Sequence, residues 1–339
     1  MNGLVFLGDR QAEVRQFPDP KPGPGQAVVR IRAGGLCGSD LHRYRHIAKE
    51  LAGDEKIPGH EPCGVVEEIG PGVSNVQVGD RVSVYHYLGC GTCPNCLAGE
   101  LNRCPQRQGF GGPIHGSCAE LILTDARNCL PLPSELSYAV GAMMACNAGT
   151  AFSAMLKLRP SGLDTVAILG QGPVGLAGTI FAKGFGARVI AVEPIAERRQ
   201  LALDLGADEA IDPADGEVVT AIQDLTHGEG ANGIFETSGS TSGREGAVAG
   251  LCVGGRGVFV GFGSQDKTVN LSQIISRQLT LIGSFVLSIP QYFEMARFVI
   301  DRKLPLEALI THRFSIDDAP EAFALFDNGK TGKVILEQG

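Results

Sequence analysis

The chain of 339 residues reads as an α/β protein in two parts, an irregular β-barrel followed by a doubly wound parallel sheet covered by helices. Three observations predict this. Residues 1 to about 147 form short strands punctuated by Gly and Pro, the pattern of a barrel rather than a helical bundle. At about residue 148 the style changes to strands alternating with helices, which implies right-handed crossovers and a parallel sheet. The length also exceeds the roughly 250–300 residues over which a single core grows. The expected domains are 1–147, completed by 287–339, and an inserted α/β domain at 148–286.

In the first part, Gln26–Arg32 alternates as a strand, Val76–Val84 alternates around Gly79-Asp80, and Ala119–Leu123 is a short apolar strand, with Pro22-Gly23-Pro24-Gly25 and Pro71-Gly72 as turns. In the second, Thr165–Leu169 is a buried strand, Pro173–Gly184 a helix, Arg188–Val192 a strand and Ala196–Leu205 a helix. Strands at Asn232–Glu236, Arg256–Val260 and Leu279–Ile282 continue the series. A helix near Gln291–Arg302 and a strand at Lys333–Leu336 return to the first domain.

Composition removes several classes. A net charge of −8 argues against a nucleic-acid partner, which would want a basic patch. No apolar run is long enough to cross a bilayer, so no membrane partner is expected. With no targeting segment, the cytoplasm is the expected compartment.

Cys90, Cys93, Cys96 and Cys104 carry the clearest motif. Four thiols within fifteen residues, with Gly91 and Pro94 in the gaps, suit one tetrahedral zinc ion at about 2.3 Å from each sulfur. A pair of disulfides fits a reducing compartment poorly. A site filled by four thiolates has no open position, so its zinc is expected to be structural.

The second motif is Gly170-Gln171-Gly172-Pro173-Val174-Gly175. A strand precedes it, a helix follows, and Glu193 ends the next strand eighteen residues beyond Gly175, the full context of a dinucleotide site. Gly170 permits the turn, Gly172 admits the pyrophosphate to the backbone, and Gly175 lets helix and strand pack. The helix that opens at Pro173, itself without an N–H, presents the free N–H groups of its first turn, from Val174 onward, to phosphate. Glu193 favours NAD over NADP, because a carboxylate accepts from a ribose diol and repels a 2′-phosphate. Arg198 and Arg199 pull the other way.

Further potential ligands lie in Cys37-Gly38-Ser39-Asp40-Leu41-His42, in Gly59-His60-Glu61-Pro62-Cys63-Gly64 and in Ala145-Cys146-Asn147. With the four-cysteine lobe and the glycine loop, these stretches make the chain resemble, end to end, the zinc-dependent medium-chain alcohol and polyol dehydrogenases. The resemblance implies a GroES-like barrel with a Rossmann domain, two zinc ions per subunit, and hydride transfer between an alcohol or polyol and NAD. It assigns Cys37, His60 and Cys146 to the catalytic zinc, Glu61 to an occasional approach to that metal, and Asp40 to orienting His60. Ser39 and His42 match a proton relay. Gly38 replaces a basic residue that grips the pyrophosphate in some relatives, so Lys333 is expected to carry more of that charge. His86, where alcohol dehydrogenases of this type often place an apolar wall, suggests a substrate with more than one oxygen, or else a ring turned away from the pocket. The apolar stretch Leu279–Leu287 resembles the edge through which subunits of the family pair, so a homodimer or homotetramer is expected. Of three rival readings, a zinc-free quinone oxidoreductase of the same superfamily would lack both cysteine sets, which this chain has. The other two, a non-redox enzyme using tightly held NAD and a structural protein on the same scaffold, gain little from an intact ligand set.

Overall fold

The computed structural model describes residues 1–51, 53, 55–263 and 270–339. The strands, in chain order, are β1 (Asn2–Gly8), β2 (Gln11–Gln16), β3 (Gln26–Gly35), β4 (Glu61–Ile69), β5 (Arg81–Val84), β6 (Tyr87–Leu88), β7 (Gln108–Gly109), β8 (Leu121–Asp125) and β9 (Cys129–Pro131). Then come β10 (Thr165–Leu169), β11 (Arg188–Val192), β12 (Glu209–Ile211), β13 (Ala231–Glu236), β14 (Leu251–Phe259) and β15 (Thr280–Gly283), followed by β16 (Ile310–Phe314) and β17 (Lys333–Glu337). The chain divides into two compact units: Met1–Gly149 with Leu287–Ile300 and Ile310–Gly339, and Thr150–Val286 with Asp301–Leu309.

The first unit is a curled, mainly antiparallel sheet in the order β16-β17-β3-β4-β5-β9, with β8 also pairing with β3. Alternation along β3 turns Ala27, Val29 and Ile31 inward against Val66, Val82, Val84 and Ile122, as period-2 patterning requires. A second cluster joins Leu4, Phe6 and Tyr44 to Phe323, Phe326 and Val334 from the far end of the sequence, so the closing strands belong to this unit. Residues 301–309 do not. Expected with the first domain, they fold with the second, because Leu306 and Leu309 are buried there.

The second unit is a six-stranded sheet, parallel throughout, in the order β12-β11-β10-β13-β14-β15. Its central strands β10 and β11 are apolar and buried on both faces, as helices on either side demand. The strand order reverses between β10 and β13, and ligands of such sheets bind at the carboxyl ends of the strands at that reversal. The expected strand over Val76–Val84 forms only at Arg81–Val84. Gly79 sits at φ +95° and the Asp80 carboxylate accepts the Gln77 N–H at 2.9 Å, so the first half of that alternation is a turn. Among the described residues no single helix is long and apolar enough to cross a membrane.

Candidate metal centre and dinucleotide loop

The thiol lobe is built from turns. Gly91 (φ +82°) reverses the chain between the first two cysteines, and Pro94 opens the short helix Pro94–Leu97 that carries Cys96. Cys90, Cys93, Cys96 and Cys104 offer four sulfur atoms that lie within 4.8 Å of one another. Cys90 Sγ and Cys96 Sγ are 3.9 Å apart, close to the roughly 3.8 Å between two thiolates on a tetrahedral ion with 2.3 Å bonds and far from a disulfide's ~2.05 Å. All ten cysteines are free thiols. The donor set therefore fits zinc.

Cys37, His60, Glu61 and Cys146 form a second group, also within 4.8 Å of one another. Separate segments supply its members. Cys37 follows β3, and its N–H donates to Asp40 Oδ2 at 3.0 Å. His60 and Glu61 stand at the start of β4. Cys146 occupies the break between the helices Tyr138–Ala145 and Asn147–Leu158, and Ser137 caps the first of these by accepting the Val140 N–H at 3.1 Å. Cys37 Sγ lies 4.0 Å from Cys146 Sγ, and Cys146 Sγ lies 3.4 Å from His60 Nε2. Asp40 Oδ1 is 3.1 Å from His60 Nδ1, which leaves Nε2 as the ligand nitrogen and fixes the ring. A soft Cys₂His set with these spacings also fits zinc. The Cys146 thiol, the largest influence, and the nearby His60 hold Cys37 well below the ordinary thiol range despite burial.

Ser39 adjoins the group, its Oγ 3.4 Å from Cys37 Sγ and 3.5 Å from His60 Nε2. His42, expected as its relay partner, is exposed on the helix Asp40–Tyr44. His86 is buried, its Nδ1 2.7 Å from Ala145 O and its ring 5.4 Å from that of His60. Burial pushes it down to about 3, so the imidazole is neutral, Nδ1–H donates to Ala145, and Nε2 is left as an acceptor beside the metal group.

Lys333 corrects an expectation. It lies in the first unit, fully buried, with Nζ 2.5 Å from Glu61 Oε2 and donating to Leu36 O at 2.6 Å. A lysine so enclosed neutralises Glu61 and is not presented to a phosphate. Burial pushes Glu61 up to about 7, against the pull of Lys333.

In the second unit the glycine motif forms the expected strand, turn and helix, with β10 running into Gly170 and Gly172 capping the helix Pro173–Gly184. A Cβ on Gly175 would lie 1.9 Å from Gly170 O, so only glycine allows this crossing. Glu193 is buried at the end of β11, where Oε2 accepts the Gln171 N–H at 2.6 Å and Oε1 the Ile195 N–H at 3.1 Å. Arg198 reaches the loop, with Nη1 3.9 Å from where a Cβ on Gly172 would lie. Sequence reasoning passed over Gln171 and Thr237. The Gln171 side chain donates to Ile168 O and accepts the Thr179 hydroxyl, and Thr237 bonds the loop from the neighbouring strand. A polar residue between the first two glycines was the one available signal.

Residues 23–134 match the family model described as alcohol dehydrogenase GroES-like domain, and residues 173–301 match that of zinc-binding dehydrogenase. The uncharacterised zinc-type alcohol dehydrogenase-like protein YphC of Escherichia coli is 36% identical, over 99% of this chain and 98% of its own length. The chain belongs to the zinc-dependent medium-chain dehydrogenases. Another member of the family, the L-threonine 3-dehydrogenase of Pyrococcus horikoshii, is 35% identical over 96% of this chain and 94% of its own. The crystal structure of an NAD-dependent alcohol dehydrogenase superposes with a TM-score of 0.88 at 30% identity, covering 100% of both chains. The chain is thus an oxidoreductase of this family, with a GroES-like domain and a Rossmann-type domain.

Proposed function

We propose that this dehydrogenase oxidises a secondary alcohol bearing a second polar hydrogen, a polyol or hydroxy amino acid for example, with NAD as hydride acceptor. The convergence of Cys37, His60 and Cys146 carries this reading. In it, these residues hold one zinc, and Cys90, Cys93, Cys96 and Cys104 hold a structural one, giving two per subunit. A zinc held by three protein ligands supplies a Lewis acid for the alcohol oxygen, and NAD supplies the hydride acceptor.

The chain's own residues do the rest. Asp40 keeps His60 in the tautomer that exposes Nε2. Ser39 is close enough to take the hydroxyl proton first, with His42 passing it towards solvent. His86, neutral and with Nε2 unused, accepts a hydrogen bond from the substrate's second hydroxyl or ammonium. Glu193 accepts from the adenosine ribose diol, which favours NAD, and Gly170 to Gly175 receive the pyrophosphate. The threonine substrate named for the Pyrococcus relative has the paired polar groups this reading calls for. The edge of β15, unpaired among the described residues, and the exposed Leu271 and Ile275 support pairing with a second copy of the chain.

The test is zinc-replete protein with NAD and a panel of simple alcohols, polyols and hydroxy amino acids, following NADH absorbance. Cys37→Ser and His60→Ala are expected to lose one zinc equivalent and turnover while still binding NADH. Near-wild-type turnover in either variant with one zinc missing would sink the assignment, and equal efficiency with NADP would sink the cofactor preference.

A further inference from the structure

The glycine loop is usually described by what it lacks, the side chains that would obstruct a phosphate. Here the informative contacts are those that hold it. Gly170 N–H donates to Val192 O at 2.8 Å, from the end of β11. Gly170 O accepts the Thr237 hydroxyl at 2.8 Å, from just past the end of β13. The same hydroxyl lies 3.1 Å from Leu169 O, and Thr237 N–H donates to Leu169 O at 2.9 Å. The far side of the Gly170–Gln171 peptide is its N–H, which donates to Glu193 Oε2 at 2.6 Å. One peptide plane is therefore gripped at both edges, its carbonyl by Thr237 and its N–H by Glu193. The Gln171 side chain, fully buried between Ile168 O and the Thr179 hydroxyl, prevents the plane from rolling.

We propose that Thr237 is a positioning residue for the dinucleotide. By fixing the Gly170–Gln171 peptide plane, its hydroxyl fixes the Glu193 carboxylate on which the adenosine ribose rests. This inference stands on the dinucleotide reading and adds a residue to it. A peptide free to rotate would carry the Gln171 N–H away from Glu193, and a buried carboxylate that loses a donor seeks another partner. Preorganisation of the carboxylate is then lost and must be restored when the cofactor binds, which weakens affinity. The effect runs through Glu193. A general loosening of the fold would not.

That route gives a double-mutant cycle read by NADH fluorescence titration. Thr237→Val removes the hydroxyl at nearly constant volume and is expected to raise the NADH Kd about tenfold, the size of one lost hydrogen bond. Thr237→Ser keeps the hydroxyl and should stay within about twofold of the wild type. In a Glu193→Ala background the route is already cut, so Thr237→Val should change Kd by less than about twofold. An unchanged Kd in Thr237→Val, or an equal tenfold loss with and without Glu193, overturns the proposal. Thermal unfolding of each variant separates loss of fold from loss of positioning, and Thr237→Ser keeps the test alive if Thr237→Val does not fold. A wild type that binds no NADH would overturn the dinucleotide reading itself, and this inference with it.

Discussion

Glu236 ends β13 with its carboxylate turned into the protein. Oε1 accepts the Ser238 hydroxyl at 2.5 Å and the Gly239 N–H at 2.9 Å, while Oε2 is buried without a partner among the described residues. Burial holds the group above the ordinary glutamate range, against the pull of those donors. The folded chain thus keeps the proton to higher pH than the unfolded chain does. The resulting stability is complete below the unfolded value, near pH ~4.3, and is lost as pH rises through the folded one. Glu236→Gln cannot titrate, so its stability relative to the wild type should rise with pH across that window. Denaturant titrations at several pH values giving a constant difference would refute this. His86 makes a sharper prediction. Replacing it by Phe removes the acceptor Nε2 but keeps a ring among Tyr85 and Tyr87. The kcat/KM for a polyol or hydroxy amino acid is expected to fall about 10- to 100-fold, with simple secondary alcohols changing only a few-fold. Equal losses on both classes would show that the ring only shapes the site.

Elements differed in how well the sequence revealed them. β10 and the helix Pro173–Gly184 have the bounds expected, because a glycine turn, a proline at the first helical position and an unbroken apolar run define their ends. Over Val76–Val84 the Gly79-Asp80 pair was legible, but the apolar alternation before it suggested a strand where the glycine φ and the aspartate side chain build a turn. The thiol lobe was legible from spacing alone, since its four ligands are local. Cys37, His60 and Cys146 were not. Their meeting depends on β3 pairing with β4 and on where a distant helix breaks, and only resemblance to a family drew them together. The Lys333 role was misjudged for a related reason, as nothing local to β17 indicates Glu61. The lobe yields its own prediction. Cys93→Ser should lose one zinc equivalent, retain the other, and lower the unfolding midpoint on the order of 5 °C. Metal analysis showing both ions retained would refute a structural role for that thiol.

At the scale of the whole molecule, the sheet of the second unit ends at β15. That strand pairs with β14 on one side and, among the described residues, with nothing on the other. Leu271 and Ile275, 69% and 75% exposed, lie one helical turn apart on the helix Leu271–Ser276 that precedes it. Unpaired strand edges flanked by apolar side chains favour association with another such edge. Sedimentation is expected to show a multiple of the 35.6 kDa chain, with Ile275→Glu shifting the distribution towards monomer. A wild-type monomer at micromolar concentration would dismiss the idea.

The pairing of Lys333 with Glu61 sets an order on synthesis. A ribosome that has delivered residues up to Gly149 has made Glu61 and every proposed zinc ligand, yet not the ammonium that neutralises the carboxylate. That group arrives only with β17, after the whole of the second unit has been translated. Until then the Glu61 carboxyl lacks its cation, so closing the barrel over it requires the group to take up a proton or to stay in water. The nascent first unit should therefore remain open, its thiols exposed to whatever metals and oxidants surround it, until β17 docks. A stop codon anywhere ahead of β17 would be felt first as failed closure around the metal group, far along the gene from the codons for its ligands.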